Sequence, residues 1–514
     1  MKKLLQLGII VFGINVYSQT AGSLDTSFGT SGKVVTSINT GSDKANGVSL
    51  QSDGKIVVAG VTTSPSTGKD FVCVRYNSDG TLDATFGTGG IVTTDVQTGS
   101  DDVAYSLAIQ SDGKIVLGGY SDDGSQKKAA LIRYNSNGTI DTTFGTSGKT
   151  LTPFELTQAS EIKIIKIHAL TGNIVVGGNT VVVTNKAKPV IARYTSTGIL
   201  DTTFNTTGIR LLWIDSLDSQ YLMTVEDLVV QTNGKISAIG WRDFPTMTFS
   251  NDNWACRVNS NGAMDTTFST DGVNKYNGSF NGNDRAFSML LKADNTFVVG
   301  GSSDVSAQNY AYAMFEIAPT GLLGSSTNQI SIPFSALDKS YPYGLGEDIN
   351  GKYVLVGSTG STTNRTFSIA RVNANYTIDT TFDTDGKVTT TFGANALNEA
   401  FDMAIQTDNK IIAVGYSGND FAIARYNGTT NLSIDDYEIN KSLAVFPNPV
   451  KNNLQINLLD KTLIDNTYSI LDLNGRIILK GNLSNEFNQV NLENLSKGFY
   501  ILKVNNLIKK FIKE

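Results

Sequence analysis

The phrase Ile140-Asp141-Thr142-Thr143-Phe144 returns along the chain at a nearly fixed interval, and that interval limits the possible folds more than any other feature. It reads LDTSF at 24–28, LDATF at 82–86, LDTTF at 200–204, MDTTF at 264–268 and IDTTF at 378–382. The starts at 24, 82, 140, 200 and 264 are 58, 58, 60 and 64 residues apart. Two further phrases keep step with it, seven times each. One is a hairpin phrase, such as QSDGKI at 110–115 and QTNGKI at 231–236. The other ends a strand, such as IRYN at 132–135 and ARYN at 424–427. Self-similarity at such a period marks stacked supersecondary units, none able to bury its apolar surface alone.

About 58 residues hold four short strands. In the second unit these are IVTTDV at 91–96, AYSLAI at 104–109, KIVLGGY at 114–120 and AALIRY at 129–134. They are rich in β-branched and aromatic residues and separated by turn residues. We expect an all-β fold: a seven-bladed β-propeller over 22–430, in which sheets around an axis cover one another's faces. The first DTTF-type marker has no RY strand before it, and the last ARYN has no marker after it. Residues 24–38 should therefore lie beside 421–430 and close the ring; an open solenoid would leave them apart.

The phrases DGKIVVAG and RYNSDGTLDATFG, with their near-60 spacing, resemble the delta-60 repeat of bacterial β-propellers. The resemblance implies the fold and no settled activity. After 430 the pattern changes. A polar linker, 431–442, precedes a tail, 443–514, whose alternation and turn residues indicate a small β-sandwich. The tail closely resembles the type A C-terminal sorting domain of the type IX secretion system. The matching residues are Pro447-Asn448-Pro449, Asp472 with Gly475-Arg476, the Leu495-to-Tyr500 segment with Gly498, and the basic pair Lys509-Lys510. That resemblance implies export to the surface or surroundings of a Gram-negative bacterium, with the secretion machinery as partner.

The remaining totals agree. Lys2 and Lys3 followed by the apolar run Leu4–Val16 read as a signal peptide over 1–19, too short to span a bilayer. No later run is long and apolar enough to cross. A net charge of −6 and a pI near 5.1 argue against nucleic acid. The tail is basic, with nine basic against six acidic residues, so the acidic excess belongs to the repeats. Two cysteines, Cys73 and Cys256, read as small buried residues rather than a bridge.

Catalytic chemistry is poorly represented. The single histidine, His168, aligns with the strand residue Ile109, and no nucleophile or phosphate-loop motif occurs. Calcium is the one ion the acidic loops 121–125 and 382–387 suggest; otherwise no cofactor, catalytic residue or metal site is expected. Aligned on the hairpin glycine, one position is acidic in four units: Asp43, Asp102, Glu161 and Asp284, with Ser340 and Asn398 in two others. These are either solvated strand starts or a ring that binds a cation, a basic group or a sugar. Trp241 and Arg242, in the fourth unit with its long loop, are a second ligand-contact candidate.

The markers also pair. Arg75 goes with Asp83, and likewise Arg133/Asp141, Arg193/Asp201, Arg257/Asp265, Arg371/Asp379 and, across the closure, Arg425/Asp25. The fifth unit loses both members at once, having Glu316 and Gly324 instead. Arg and Asp are expected to meet and lock one strand to the next. The sequence thus reads as an exported, monomeric propeller acting as a non-catalytic binding or adhesion module. A structural surface protein without ligand is the alternative, and a carboxylate-dependent glycosidase or lyase a more distant one.

Overall fold

The computed structural model describes residues 20–183, 186–214, 222–243, 251–276, 284–306, 309–335, 339–393, 397–428, 443–472, 476–505 and 507–514. The expected signal peptide and linker lie outside the described residues. The chain divides into two compact units, 1–430 and 431–514. Among the described residues there is no α-helix.

In the first unit the strands form four-stranded antiparallel sheets. The second sheet is typical: Asp101–Ile109, Ile115–Asp122, Lys127–Tyr134 and Lys149–Thr152 pair in chain order. Equivalent first strands begin at Lys44, Ser160, Asp227, Arg285, Tyr341 and Asn398, giving seven such sheets among the described residues. The third and fourth are joined by the short strand Leu222–Met223, which pairs with both. Each first strand touches the first strand of the next sheet, and Asn398–Ile405 touches Lys44–Leu50, so the array closes on itself. It is a β-propeller.

Closure uses both ends of this unit. Lys33–Thr36 pairs with Asp420–Tyr426 as the outer strand of the last sheet, with Lys33 opposite Ala424. The turn between third and fourth strands is split between the two ends. Asn427 N–H donates to Ser23 O, and Gly22 N–H donates to Asn427 O. These reproduce the bonds Asn77 to Thr81 and Gly80 to Asn77 in the first sheet. Gly22, at φ 91°, takes the left-handed conformation that Gly80 takes at φ 88°.

The core is a series of layers. Second and third strands are buried on both faces, as in Ile56–Ser64 and Gly68–Tyr76. An apolar layer lies between each neighbouring pair of sheets. Between the first and second, for example, Val57, Phe71 and Cys73 face Leu107, Leu117 and Ile132. Each such side chain contributes about 1.5–3 kcal/mol on burial, and no sheet collects that alone. Cys73 and Cys256 are free and buried, and burial pushes both thiols up to about 12.

The Arg and Asp of the markers meet. Arg Nε to Asp Oδ2 is 2.7 Å for Arg75/Asp83, 2.8 Å for Arg133/Asp141 and Arg193/Asp201, and 2.6 Å for Arg257/Asp265 and Arg371/Asp379. Across the closure Arg425 Nε lies 2.8 Å from Asp25. Each guanidinium also stacks on the marker ring beneath it, such as Arg133 over Phe144 at 4.7 Å. The arginine then reaches into the next sheet. Its Nη1 donates to the turn carbonyl of Ser136, Ser196, Ser260, Pro319, Gly428 or Ser78. The residue after the marker phenylalanine adds a backbone bond to the same turn, as Gly87 N–H does to Asn137 O. The hairpin phrase supplies a second cation, since Lys114 Nζ is 3.0 Å from Asp141. In the fifth sheet the charges are exchanged. Glu316 replaces the arginine and is met by Lys292 at 3.1 Å, while Gly324 N–H still donates to Glu316 O.

His168 is not a strand residue aligned with Ile109. Its N–H donates to Asn173 O across the hairpin turn, the place Gln110 holds in the second sheet, and its Nδ1 pairs with Thr171 Oγ1 at 2.7 Å.

The second unit is a β-sandwich. Leu443–Phe446, Asn453–Leu458 and Phe487–Asn491 form one sheet. Thr467–Leu471, Ile477–Asn482, Gly498–Val504 and Leu507–Lys513 form the other. Leu454, Ile456, Ile470, Leu502 and Phe511 fill the space between. Pro447, Asn448 and Pro449 form the bend after the first strand, where Asn448 Oδ1 accepts from Ile512 N–H. Arg476 pairs with Asp472 at 3.1 Å, and Tyr500 Oη donates to Ser496 O. Lys509 and Lys510 stand opposite Leu502 and Ile501, while Gly475 lies outside the described residues.

Two measurements test the Arg–Asp locks. Arg133→Ala leaves Asp141 buried without its guanidinium and is expected to cost about 3 kcal/mol in a denaturant titration. Arg133→Lys should recover little, because an ammonium cannot both pair with Asp141 and reach Ser196. Burial opposes ionisation of Asp25 and Asp379. Lys410, Ser27 and Arg425 for the first, and Lys352, Thr381 and Arg371 for the second, nevertheless hold both at about 2. The unfolded chain takes up these protons near pH ~4 and the folded chain only near pH ~2. The stabilisation is therefore complete above about pH 4 and is lost as pH falls toward about 2. Unfolding midpoints should drop across that window.

Candidate functional site

The seven first strands enclose one cavity of about 510 Å³. What faces it is decided by an irregularity that every sheet shares. In the second sheet Ala104 pairs with Gly119 and Ser106 with Gly118, which leaves Tyr105 as an extra residue, a β-bulge. Register shifts at the same place leave out Asn46, Lys163, Phe287, Tyr343 and Phe401. Glu226 holds that place in the fourth sheet, just before Asp227–Val230. The glycine of the second strand makes room. A Cβ on Gly60, Gly119, Gly178, Gly240, Gly301, Gly357 or Gly415 would collide with the carbonyl oxygen of the first strand. Phrases such as IVLGG and KISAIG therefore carry the glycine that lets the chain bulge.

All seven bulge residues line the cavity and are half-buried. They differ sharply in chemistry. Phe287, Tyr343 and Phe401 make a continuous aromatic arc, with ring centres 5.0 and 5.5 Å apart. Tyr341 and Tyr416 extend it outward, 6.2 Å from Tyr343 and 5.7 Å from Phe401. The opposite side is charged. Lys163 pairs with Glu161 at 3.0 Å and lies over the Tyr105 ring at 4.0 Å. Burial opposes its charge, but Glu161, Tyr105 and Glu226 raise its pKa above the ordinary lysine range. Burial raises the pKa of Glu226 against the pull of Lys163. Glu226 also accepts from Trp241 Nε1 at 2.9 Å.

Just below the bulges, short polar side chains tie sheet to sheet. Asp402 accepts from Val48 N–H, Ser106 from Ile165 N–H, and Asp227 from Met289 N–H. Burial pushes Asp402 up to about 6, although two backbone amides and Lys166 pull the other way.

The acidic ring expected from sequence does not line this cavity. Asp43 is buried and accepts from the N–H groups of Ile38 and Asn39 and from Thr62 Oγ1. Asp102 is buried and accepts from Val96 N–H and Ser100 Oγ. Asp284 is buried at the corresponding place in the fifth sheet. Asp43 and Asp102 thereby hold the approach to the first strands of their own sheets. Glu161 is not their equivalent. The third sheet's hairpin spans His168 to Asn173, one residue more than Gln110 to Lys114, so alignment on the hairpin glycine slips by one. Ser160 takes the Asp102 role, with its Oγ accepting from Phe154 N–H, and Glu161 turns toward the mouth. Trp241 does reach the mouth through Glu226, and Arg285 lies 4.3 Å over its ring. Arg242 is buried against Asp252 at 3.2 Å. The bulge residues themselves, above all Tyr343 and Phe401, were missed. Their only signal was an aromatic residue three places after the buried polar position in several units.

Comparison with known proteins agrees with both halves. Residues 51–86, 110–144, 171–204, 350–382 and 406–435 match the family described as Domain of unknown function (DUF5122) beta-propeller. Residues 444–514 match the Secretion system C-terminal sorting domain. No curated protein sequence matches the chain. Among solved structures, a catalytically inactive virginiamycin B lyase from Staphylococcus aureus with quinupristin is 12% identical, covering 76% of this chain and 98% of its own, at a TM-score of 0.43. Drosophila semaphorin 2a is 8% identical over 96% and 98%, at 0.45. The β-propeller domain of a protease from Pyrococcus furiosus is 8% identical over 76% and 99%, at 0.36. At this level none of the three speaks to ligand or activity. Five stretches of the chain thus match DUF5122 β-propeller repeats, and its last residues match a secretion system C-terminal sorting domain, which indicates export to the cell surface or extracellular space.

Proposed function

We propose that the exported propeller is a non-catalytic binding module whose channel mouth takes a carbohydrate. One observation carries the reading. Seven equivalent, glycine-permitted bulges aim one side chain each at the same opening, and these vary while the supporting positions repeat. Purely structural rim positions would be expected to repeat as the locks do. The arc of Phe287, Tyr343 and Phe401 suits the apolar face of a pyranose. Lys163, Glu226 and Asn46 suit its hydroxyls.

The carboxylates of the cavity, and Glu161 beside its mouth, support binding over catalysis, because each is already engaged. Asp402 and Asp227 accept backbone amides from neighbouring sheets. Glu161 is paired with Lys127 and Lys163, and Glu226 holds Trp241. A general acid or base needs a carboxyl free to exchange its proton with substrate. Attachment of the ligand-bearing surface to the cell would make the module an adhesin.

A glycan array followed by calorimetry on the full chain tests the reading. Tyr343→Ala and Phe401→Ala should each weaken the bound glycan about tenfold, a loss of roughly 1.4 kcal/mol. No binding by the parent chain, or unchanged binding by both variants, would sink it. Glu226→Gln separates binder from enzyme: it keeps an acceptor for Trp241 and should leave glycan turnover at zero in parent and variant alike. Its stability should exceed the parent's at neutral pH, since burial disfavours the charge it removes, and that gain should shrink as pH falls through the ordinary glutamate range, where the carboxyl becomes protonated in the unfolded chain as well.

A further inference from the structure

Asp70, Asp95 and Asp102 bring a carboxylate oxygen each within 4.8 Å of one another, where the first sheet meets the second. Asp70 belongs to the third strand of the first sheet, Gly68–Tyr76. Asp95 follows the outer strand of the first sheet, Ile91–Thr94, and Asp102 is the second residue of Asp101–Ile109. Asp70 is 5% exposed and Asp102 fully buried, and among the described residues no ion pair reaches any of the three. Lys149 Nζ donates to the backbone carbonyls of Asp95 and Val96 and not to a carboxylate of the cluster.

Proximity of acids alone would mean little. The second observation is that two of their oxygens have nothing to bind. Asp70 Oδ2 accepts from Thr67 Oγ1 and Asp95 Oδ2 from Gly99 N–H, but Oδ1 of both is buried without a hydrogen-bond partner. Three carboxylates in a low-dielectric seam, two of them with an unsatisfied oxygen, repel one another and lose hydration. Burial raises the pKa of Asp70 and Asp102, and Asp95 raises both further.

We propose that Asp70, Asp95 and Asp102 bind a hard divalent cation, Ca²⁺ by donor type, that staples the first sheet to the second. An all-oxygen, carboxylate-rich set fits Ca²⁺, which accepts six to eight oxygens in flexible geometry. The other six seams need no such ion, because no other cluster of this kind occurs among the described residues. The acidic segment 121–125 is not the site: its exposed Asp123 is already satisfied by Ser125 and Gln126. This site stands independently of the carbohydrate reading.

Thermal unfolding of the full chain near pH ~7.5, in EGTA, in about 5 mM CaCl₂ and in about 5 mM MgCl₂, tests it. Ca²⁺ is expected to raise Tm by about 2 °C or more, and Mg²⁺ by less. Asp70→Asn and, as a less buried second variant, Asp95→Asn should abolish the rise, while Asp123→Asn in the exposed turn should keep it. Absence of a Ca²⁺ effect in the parent, or its survival in the Asp70 and Asp95 variants, overturns the proposal. So does a higher Tm of Asp70→Asn in EGTA with no Ca²⁺ response in the parent, since that identifies a shared proton.

Discussion

Everything in the propeller depends on one requirement: each sheet must be covered on both faces by its neighbours. Second and third strands are apolar front and back, so a single sheet in water would expose half its hydrophobic surface. Dispersion and burial favour stacking but do not set an angle. The Arg–Asp locks do, because the guanidinium is held by its own sheet's aspartate and phenylalanine and directed at a carbonyl of the next. One planar group with several fixed donors thereby joins a local turn to an inter-sheet contact.

That dual use explains why three separate phrases repeat together. Lysine from the hairpin phrase, arginine from the strand end and aspartate from the marker converge on one carboxylate. The fifth sheet shows that the constraint is charge balance rather than residue identity. There Glu316 is buried where arginine would be, and Lys292 with Asn328 replaces the cations and donors. The third sheet makes a smaller change, with Asn173 donating to Asp201 where lysine stands elsewhere.

The mouth of the channel is built on the opposite logic. Its backbone is uniform, since a bulge and a facing glycine recur in every sheet, while its side chains are not. Uniform backbone with varied side chains is how a repeat scaffold presents a surface without disturbing its core. The buried carboxylates at Asp43 and Asp102, read from sequence as a possible ligand ring, serve the scaffold: a loop that must plunge into the first strand leaves amide donors that only a side chain can satisfy.

The amino-acid sequence by itself determined the period, the strands, the ring closure and the partnership of Arg with Asp. Each depends on residue types recurring at fixed separations, and missing partners at the two ends imply one another. The tail was equally legible, from a run of motifs along one segment. Only the tertiary structure decided which residues share the channel mouth and which acids share the seam at Asp70. A bulge inserts one residue and reverses the side to which the next side chains point, so alternation read along the strand misassigns the mouth. A one-residue hairpin insertion did the same to Glu161. Asp70, Asp95 and Asp102 lie in two different units at no repeating offset, and they meet only because the first two sheets pack face to face.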